Sequence, residues 1–167
     1  RVIAIELHGF GDVSKCAYAV AVYIRSVTEK EVLVWLVASK TRAAPFTKHS
    51  ISRLELLSAA ILARLGSTIA EALQQVAHIN KVHCWLDSLT VLYWIRQENK
   101  EWKPFVKNRV AEVRKIAPLS SWLRCPSEAN MANVAKATSN QSTHQVIKQY
   151  ILAAFDKYLI KNLISVP

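Results

Sequence analysis

The chain has 167 residues and a mass of 18.8 kDa, enough for one domain with a sizeable core and too little for two. A hydrophobic fraction of 51% and a charged fraction of 20% exclude an intrinsically disordered chain. Lys and Arg number 22 against 12 Asp and Glu, and the resulting +10 favours a polyanionic partner, because each neutralised phosphate releases counterions.

In chain order, Val2–Leu7 forms an apolar strand, and Gly9, Phe10 and Gly11 loosen the chain before Asp12. Ala17–Ile24 and Val32–Ala38 are two further strands joined by a short polar turn, a spacing that predicts an antiparallel meander. Thr41–Ser50 is an irregular basic connection. Leu54, Leu57, Ile61, Leu65, Ile69 and Leu73 then recur at helical spacing, predicting a helix over Arg53–Ala77. Val82–Leu86 is a fourth strand, Leu89–Arg96 a short helix, and Trp102–Ile116 a helix with Pro104 in its first turn, where proline is tolerated. Trp122–Cys125 is a fifth strand, and Thr143–Ile164 an amphipathic helix. Three antiparallel strands followed by strands alternating with helices make an α/β domain with a mixed five-stranded sheet. That domain is expected over residues 1–142, with 143–167 as an extension of it or a connector.

No apolar run approaches the roughly 20 residues of a membrane helix, so no membrane partner is expected. Cys16, Cys84 and Cys125 lie far apart, lack zinc-ligand spacing and point to a reducing intracellular compartment.

Three acids stand at element ends, and each has an ordinary explanation. Asp12 follows glycine, as turn aspartates do. Ser52-Arg53-Leu54-Glu55 fits a capping box, and Asp87-Ser88 precedes a helix as an N-cap would. If strands one and four are neighbours, however, the three acids converge at one end of the sheet. Carboxylates so gathered repel one another without a counter-charge. Hard oxygen donors favour Mg²⁺ or Mn²⁺, and two such ions can activate water and stabilise the leaving oxygen of a phosphodiester.

The words carrying these acids are narrower than their spacing. Leu7-His8-Gly9-Phe10-Gly11-Asp12, Lys40-Thr41-Arg42-Ala43-Ala44-Pro45, Arg53-Leu54-Glu55-Leu56, Trp85-Leu86-Asp87-Ser88 through Ile95, and Trp102-Lys103-Pro104-Phe105 through Val110 occur in order. Together they resemble the ribonuclease H domain of Pao/BEL-type retrotransposon polyproteins, from the N-terminus to about Ala135. The resemblance implies an RNase H-like fold and hydrolysis of the RNA strand of RNA–DNA hybrids during reverse transcription. It implies that two Mg²⁺ or Mn²⁺ ions are held by Asp12, Glu55 and Asp87. It also implies neighbouring polyprotein domains (reverse transcriptase, integrase) as partners, and a location in cytoplasmic virus-like particles or the nucleus.

One departure stands out. Where the family pattern ends its site on Asn-Pro-Ala-Asp, this chain has Asn130-Met131-Ala132-Asn133, so the fourth catalytic position, Asn133, is an amide. The alternatives are an attenuated nuclease or a catalytically inactive RNase H-fold domain that binds nucleic acid or a protein. Candidate nucleic-acid contacts are Arg42 and Arg53 near the first helix, the basic ridge containing Lys103, Lys107 and Arg109 with Trp102 and Phe105 interleaved, and Ser88 and Gly11 for 2′-hydroxyls. His8 and His83 are expected near the carboxylates on adjacent strands, more as packed residues than as catalysts.

Overall fold

The structure is a computed structural model that describes residues 1–14, 17–45, 49–98, 100–127, 130 and 132. Its elements are β1 (Val2–Val13), β2 (Ala17–Thr28), β3 (Val32–Ala43), α1 (Ile51–Gln74), β4 (Lys81–Leu86), α2 (Leu89–Arg96), α3 (Pro104–Ile116), a 3₁₀ turn (Leu119–Ser121) and β5 (Trp122–Arg124). The sheet order is β3-β2-β1-β4-β5. β1 pairs antiparallel with β2, and β2 with β3, whereas β1–β4 and β4–β5 are parallel. The mixed sheet expected from the element order is therefore present. The expected C-terminal helix and Asn133 lie outside the described residues.

The first three strands run farther than their apolar cores suggest. β1 continues through Gly9, Gly11 and Asp12 to Val13, and β3 continues to Ala43 through polar Lys40 and Arg42. The glycines loosen nothing; they let α1 come close. A Cβ on Gly9 would stand 2.5 Å from Leu62 Cδ1, and one on Gly11 would stand 2.7 Å from Ser58 Oγ. Two strand residues advance about 6.6 Å and four helix residues about 6.0 Å, so Gly11 over Ser58 and Gly9 over Leu62 keep step. Polar side chains are tolerated on β3 because it is an edge strand, where backbone pairing with β2 suffices to hold it.

Helix α1 begins two residues before the expected start. Ser50 is its N-cap, accepting the Arg53 N–H, and Ile51 opens the helix. This removes the capping-box reading of Glu55, which sits too far into the helix to bond back to the cap. Leu54, Leu56, Ala59, Ala60, Leu62 and Ala63 are buried, while Leu57, Leu65, Ile69 and Leu73 are half-buried at the flanks. The apolar arc is wide because the sheet covers one side and α3 another. α1 is long and apolar enough to cross a membrane, contrary to the sequence expectation, yet here it is the core helix of the sheet. Truncating Leu56, which is fully buried, is expected to cost about 2–5 kcal/mol.

α2 and α3 are joined at their C-terminal ends. The Arg114 guanidinium donates to the carbonyls of Ile95 and Gln97, the terminal groups a helix leaves unsatisfied.

Candidate active site

β1 and β4 are neighbours in parallel register, with Gly11 opposite Leu86. Extending that register by one residue sets Asp12 beside Asp87, on strands about 4.8 Å apart. Side chains alternate along a strand, so Asp12 points to the face opposite the one on which Gly11 meets α1, while Asp87 follows the last residue of β4. Asp12 is buried and pairs with Ala19 inside the sheet, so it is a strand residue and not a turn residue.

Glu55 reaches the same end of the sheet from α1. It lies one turn before Ser58, whose hydroxyl donates to the Ala19 carbonyl, and Ala19 is the residue opposite Asp12. Ser88, just after Asp87, donates its hydroxyl to Glu55 Oε2 at 2.5 Å and accepts the Val91 N–H, capping α2. The serine of the expected N-cap thus also fixes a carboxylate. Asp87 Oδ2 accepts from Ser127 at 3.2 Å.

The electrostatics set Glu55 beside one like charge. Burial raises the Glu55 carboxyl above its usual range, the Ser88 hydroxyl lowers it, and the negative charge of Asp87 raises it again. Among the described residues these acids do not form a group with ligand atoms within 4.8 Å of one another. The donors are all oxygens, which fits Mg²⁺ or Mn²⁺ and not zinc.

Glu6, His8 and His83 do bring ligand atoms that close. Their hydrogen bonds argue against a metal. The Trp85 indole donates to His8 Nδ1, so His8 carries its proton on Nε2 and donates to Glu6. Glu6 is also held by the Arg25 guanidinium at 2.8 Å, a cation where a metal would stand. The hydrogen bond from His8, with the charge of Arg25 beside it, holds the Glu6 carboxyl down at about 2, against burial, which raises it. His8 and His83 stack with ring centroids 4.7 Å apart. They sit four residues before Asp12 and Asp87, roughly 13 Å away along the strands, so they are not at the acids as the sequence suggested.

Asn130 is a site residue whose role the sequence did not disclose. Its side-chain amide donates to the Gly11 carbonyl at 2.8 Å, and its oxygen accepts the Ala132 N–H. Buried to 3% exposure, it ties the Asn130–Ala132 segment to the residue before Asp12. The only advance signal was its place at the head of the Asn-Met-Ala-Asn word.

The candidate nucleic-acid residues divide into groups. Arg53 lies over the Phe105 ring at 5.1 Å, joining the starts of α1 and α3, and Lys103 and Lys107 are exposed on α3. Lys100 stands over both Tyr93 and Trp102, extending this basic and aromatic ridge. Arg109 is tied to Glu112 at 2.7 Å, which makes it the least available of the set. Arg42 is exposed at the far end of β3, opposite Tyr18.

A family model described as the Pao retrotransposon-like RNaseH-like domain matches residues 1–88. No curated protein sequence matches the chain. Solved structures similar to it include RNase H1 from the halophilic archaeon Halobacterium salinarum NRC-1, at 13% identity and a TM-score of 0.44, covering 78% of this chain and 91% of that one. LC11-RNase H1 in complex with an RNA/DNA hybrid is 11% identical, with a TM-score of 0.45 and coverage of 75% and 88%. An N-terminal RNase H domain from Mycobacterium tuberculosis is 14% identical, with a TM-score of 0.46 and coverage of 84% and 96%. These likenesses are of fold alone.

Proposed function

Because this chain belongs to the Pao retrotransposon-like RNaseH-like family, we propose that it is a metal-dependent endonuclease acting on the RNA strand of RNA–DNA hybrids. The observation that carries the proposal is the placement of Asp12 and Asp87 at the same end of adjacent parallel strands, with Glu55 hydrogen-bonded to Ser88, the residue after Asp87. In this reading Asp12, Glu55 and Asp87 hold two Mg²⁺ or Mn²⁺ ions. The ions, when bound, supply water activation and charge stabilisation at the leaving oxygen.

The chain's own residues set the geometry. Ser88 fixes the Glu55 carboxylate, Ser127 steadies Asp87, and Asn130 anchors the segment that leads to Asn133. Arg53, Lys103 and Lys107 receive strand phosphates, and Ser88 is the proposed contact to a ribose 2′-hydroxyl; Gly11, buried between two strands with its carbonyl taken by Asn130, is not available for that role. The neighbouring domains of a retroelement polyprotein are the proposed protein partners, and a virus-like particle or the nucleus the proposed location.

End-labelled RNA annealed to DNA, compared with the same RNA in an RNA duplex and with a DNA duplex, tests the activity. Cutting confined to the hybrid supports the proposal, and equal cutting of all three duplexes contradicts it. The second reading, a silent binding domain, is favoured by Asn133, which supplies no negative charge at the fourth position. Under it the hybrid binds with steep salt dependence and the RNA stays whole.

A further inference from the structure

Helix α1 lies over β1, β2 and β4, and its flank leaves the α1-facing side of β3 uncovered. Lys40 and Arg42 are two residues apart on β3 and so share a face. Lys40 pairs with Val20, which pairs with Gly11, so that face is the one toward α1. Between these side chains and the α1 residues Ile61, Arg64, Leu65 and Thr68 lies a groove of about 240 Å³. At roughly 30 Å³ per water it has room for about eight waters, or for an anion with part of its shell.

The groove has an apolar floor of Ile61 and Leu65 and a cationic rim. Lys40 and Arg42 are exposed and carry no hydrogen bond or ion pair among the described residues. Arg64 bonds Glu112 through two of its nitrogens, and Glu112 is shared with Arg109. One carboxylate is therefore shared by two guanidiniums. Thr68 donates its hydroxyl to the Arg64 carbonyl, which leaves the oxygen's lone pairs and not its proton toward the groove. The recognition must then come from the three cations. Two guanidiniums and an ammonium lining one groove suit a tetrahedral oxyanion.

The geometry points to a phosphate-binding groove between β3 and α1, anchored by Lys40, Arg42 and Arg64. The phosphate we assign to it is one in the backbone of the bound nucleic acid. Lys40 is level with Gly11 and Arg42 with Val13, so the β3 side of the groove lies at the same end of the sheet as the acids, two strands or about 10 Å to the side, while its α1 side runs back from that end. This choice of source rests on the function proposed above; the existence of the groove as an anion site does not.

Pyrophosphate titrated into the full chain without divalent metal, followed by amide and side-chain NMR, tests the site. Expected are saturable shifts at Lys40, Arg42, Arg64 and Thr68, weakened about tenfold or more in a Lys40→Gln/Arg42→Gln double variant. Glu112→Gln should bind pyrophosphate more tightly, because it frees Arg64 from its competing carboxylate; a merely structural Glu112 would not do this. Absence of shifts at these residues overturns the site. Salt dependence of hybrid binding tests the source: the double variant should lower the slope by about two counterions. An unchanged slope with intact pyrophosphate binding overturns the nucleic-acid source and assigns the groove to a free phosphate compound. A chain that binds pyrophosphate here but no hybrid contradicts the nuclease reading while upholding the groove.

Discussion

Glu55 sits in a position that stability alone would not favour. Its folded-state carboxyl is raised by burial and by Asp87, so its contribution to stability is full below the ordinary carboxylate range and is lost as pH rises through the folded value. At neutral pH the ionised side chain therefore costs stability until a cation arrives. Glu55→Gln is expected to melt higher than the parent chain without metal. Mg²⁺ should raise the melting temperature of the parent and leave that variant nearly unmoved, as scanning calorimetry would reveal. A variant less stable than the parent in metal-free buffer would count against a repulsive acid cluster. Gly11 answers to packing instead. Gly11→Ala sets a methyl group 2.7 Å from Ser58 Oγ and 3.1 Å from Leu86 Cδ2. Such overpacking costs about 1–3 kcal/mol. It should also lower cleavage beyond the loss of folded protein, because Ser58 and Glu55 are one turn apart; kcat measured on the folded fraction checks this.

At the scale of elements, β1 and β4 share a stack of His8, His83 and Trp85. Burial, the first cause, lowers His83 to about 4, and His8 is lowered by burial as well. For a histidine depressed in the fold, stability is full above the unfolded value of 6.5 and is lost as pH falls toward the folded one. Chemical denaturation should therefore show stability falling between pH 6.5 and 4, by up to about 1.4 kcal/mol per pH unit for each proton taken up. His83→Gln should flatten that fall; a curve unaltered by the substitution would show that His83 is not the group responsible.

These elements also show what was legible in the sequence. Helical spacing from Leu54 to Leu73 and the apolar run before Asp87 located α1 and β4, because apolar side chains recur wherever an element packs against the core. The limits of β1 and β3 were not legible. Gly9, Gly11, Lys40 and Arg42 resemble loop residues, and only the approach of α1 and the edge position of β3 keep them in strands. The acids were singled out as standing at element ends, yet Asp12 lies inside β1 and Glu55 a full turn into α1, and only Asp87 follows the end of its strand. Asn130 was missed because an asparagine bonding to a carbonyl more than 100 residues away leaves no local pattern.

On the whole molecule, the net charge of +10 is unevenly used. Arg25 and Arg109 are committed to carboxylates, and Arg96 and Arg114 to carbonyls, so these four hold the fold together, while Arg64 pairs with Glu112 at the rim of the groove. The cations left exposed include Lys40 and Arg42 on one side of α1, and Lys103 and Lys107 on the other. A hybrid bridging both sides would contact at least four of them. Its affinity should fall about four decades per decade of salt, or somewhat less steeply, and Lys103→Gln/Lys107→Gln should reduce that slope by about two. Fluorescence anisotropy at several salt concentrations measures both; a slope near zero would rule out phosphate-led binding.

The most direct test compares cleavage of end-labelled RNA in a hybrid by this chain, by Asp12→Asn and by Asn133→Asp, in Mg²⁺ and in Mn²⁺. The account predicts slow cutting by the chain, none by Asp12→Asn, and faster cutting by Asn133→Asp, which restores a fourth carboxylate. No cutting by any of the three, under conditions where the hybrid is bound, would contradict the assignment of Asp12, Glu55 and Asp87 as a working site.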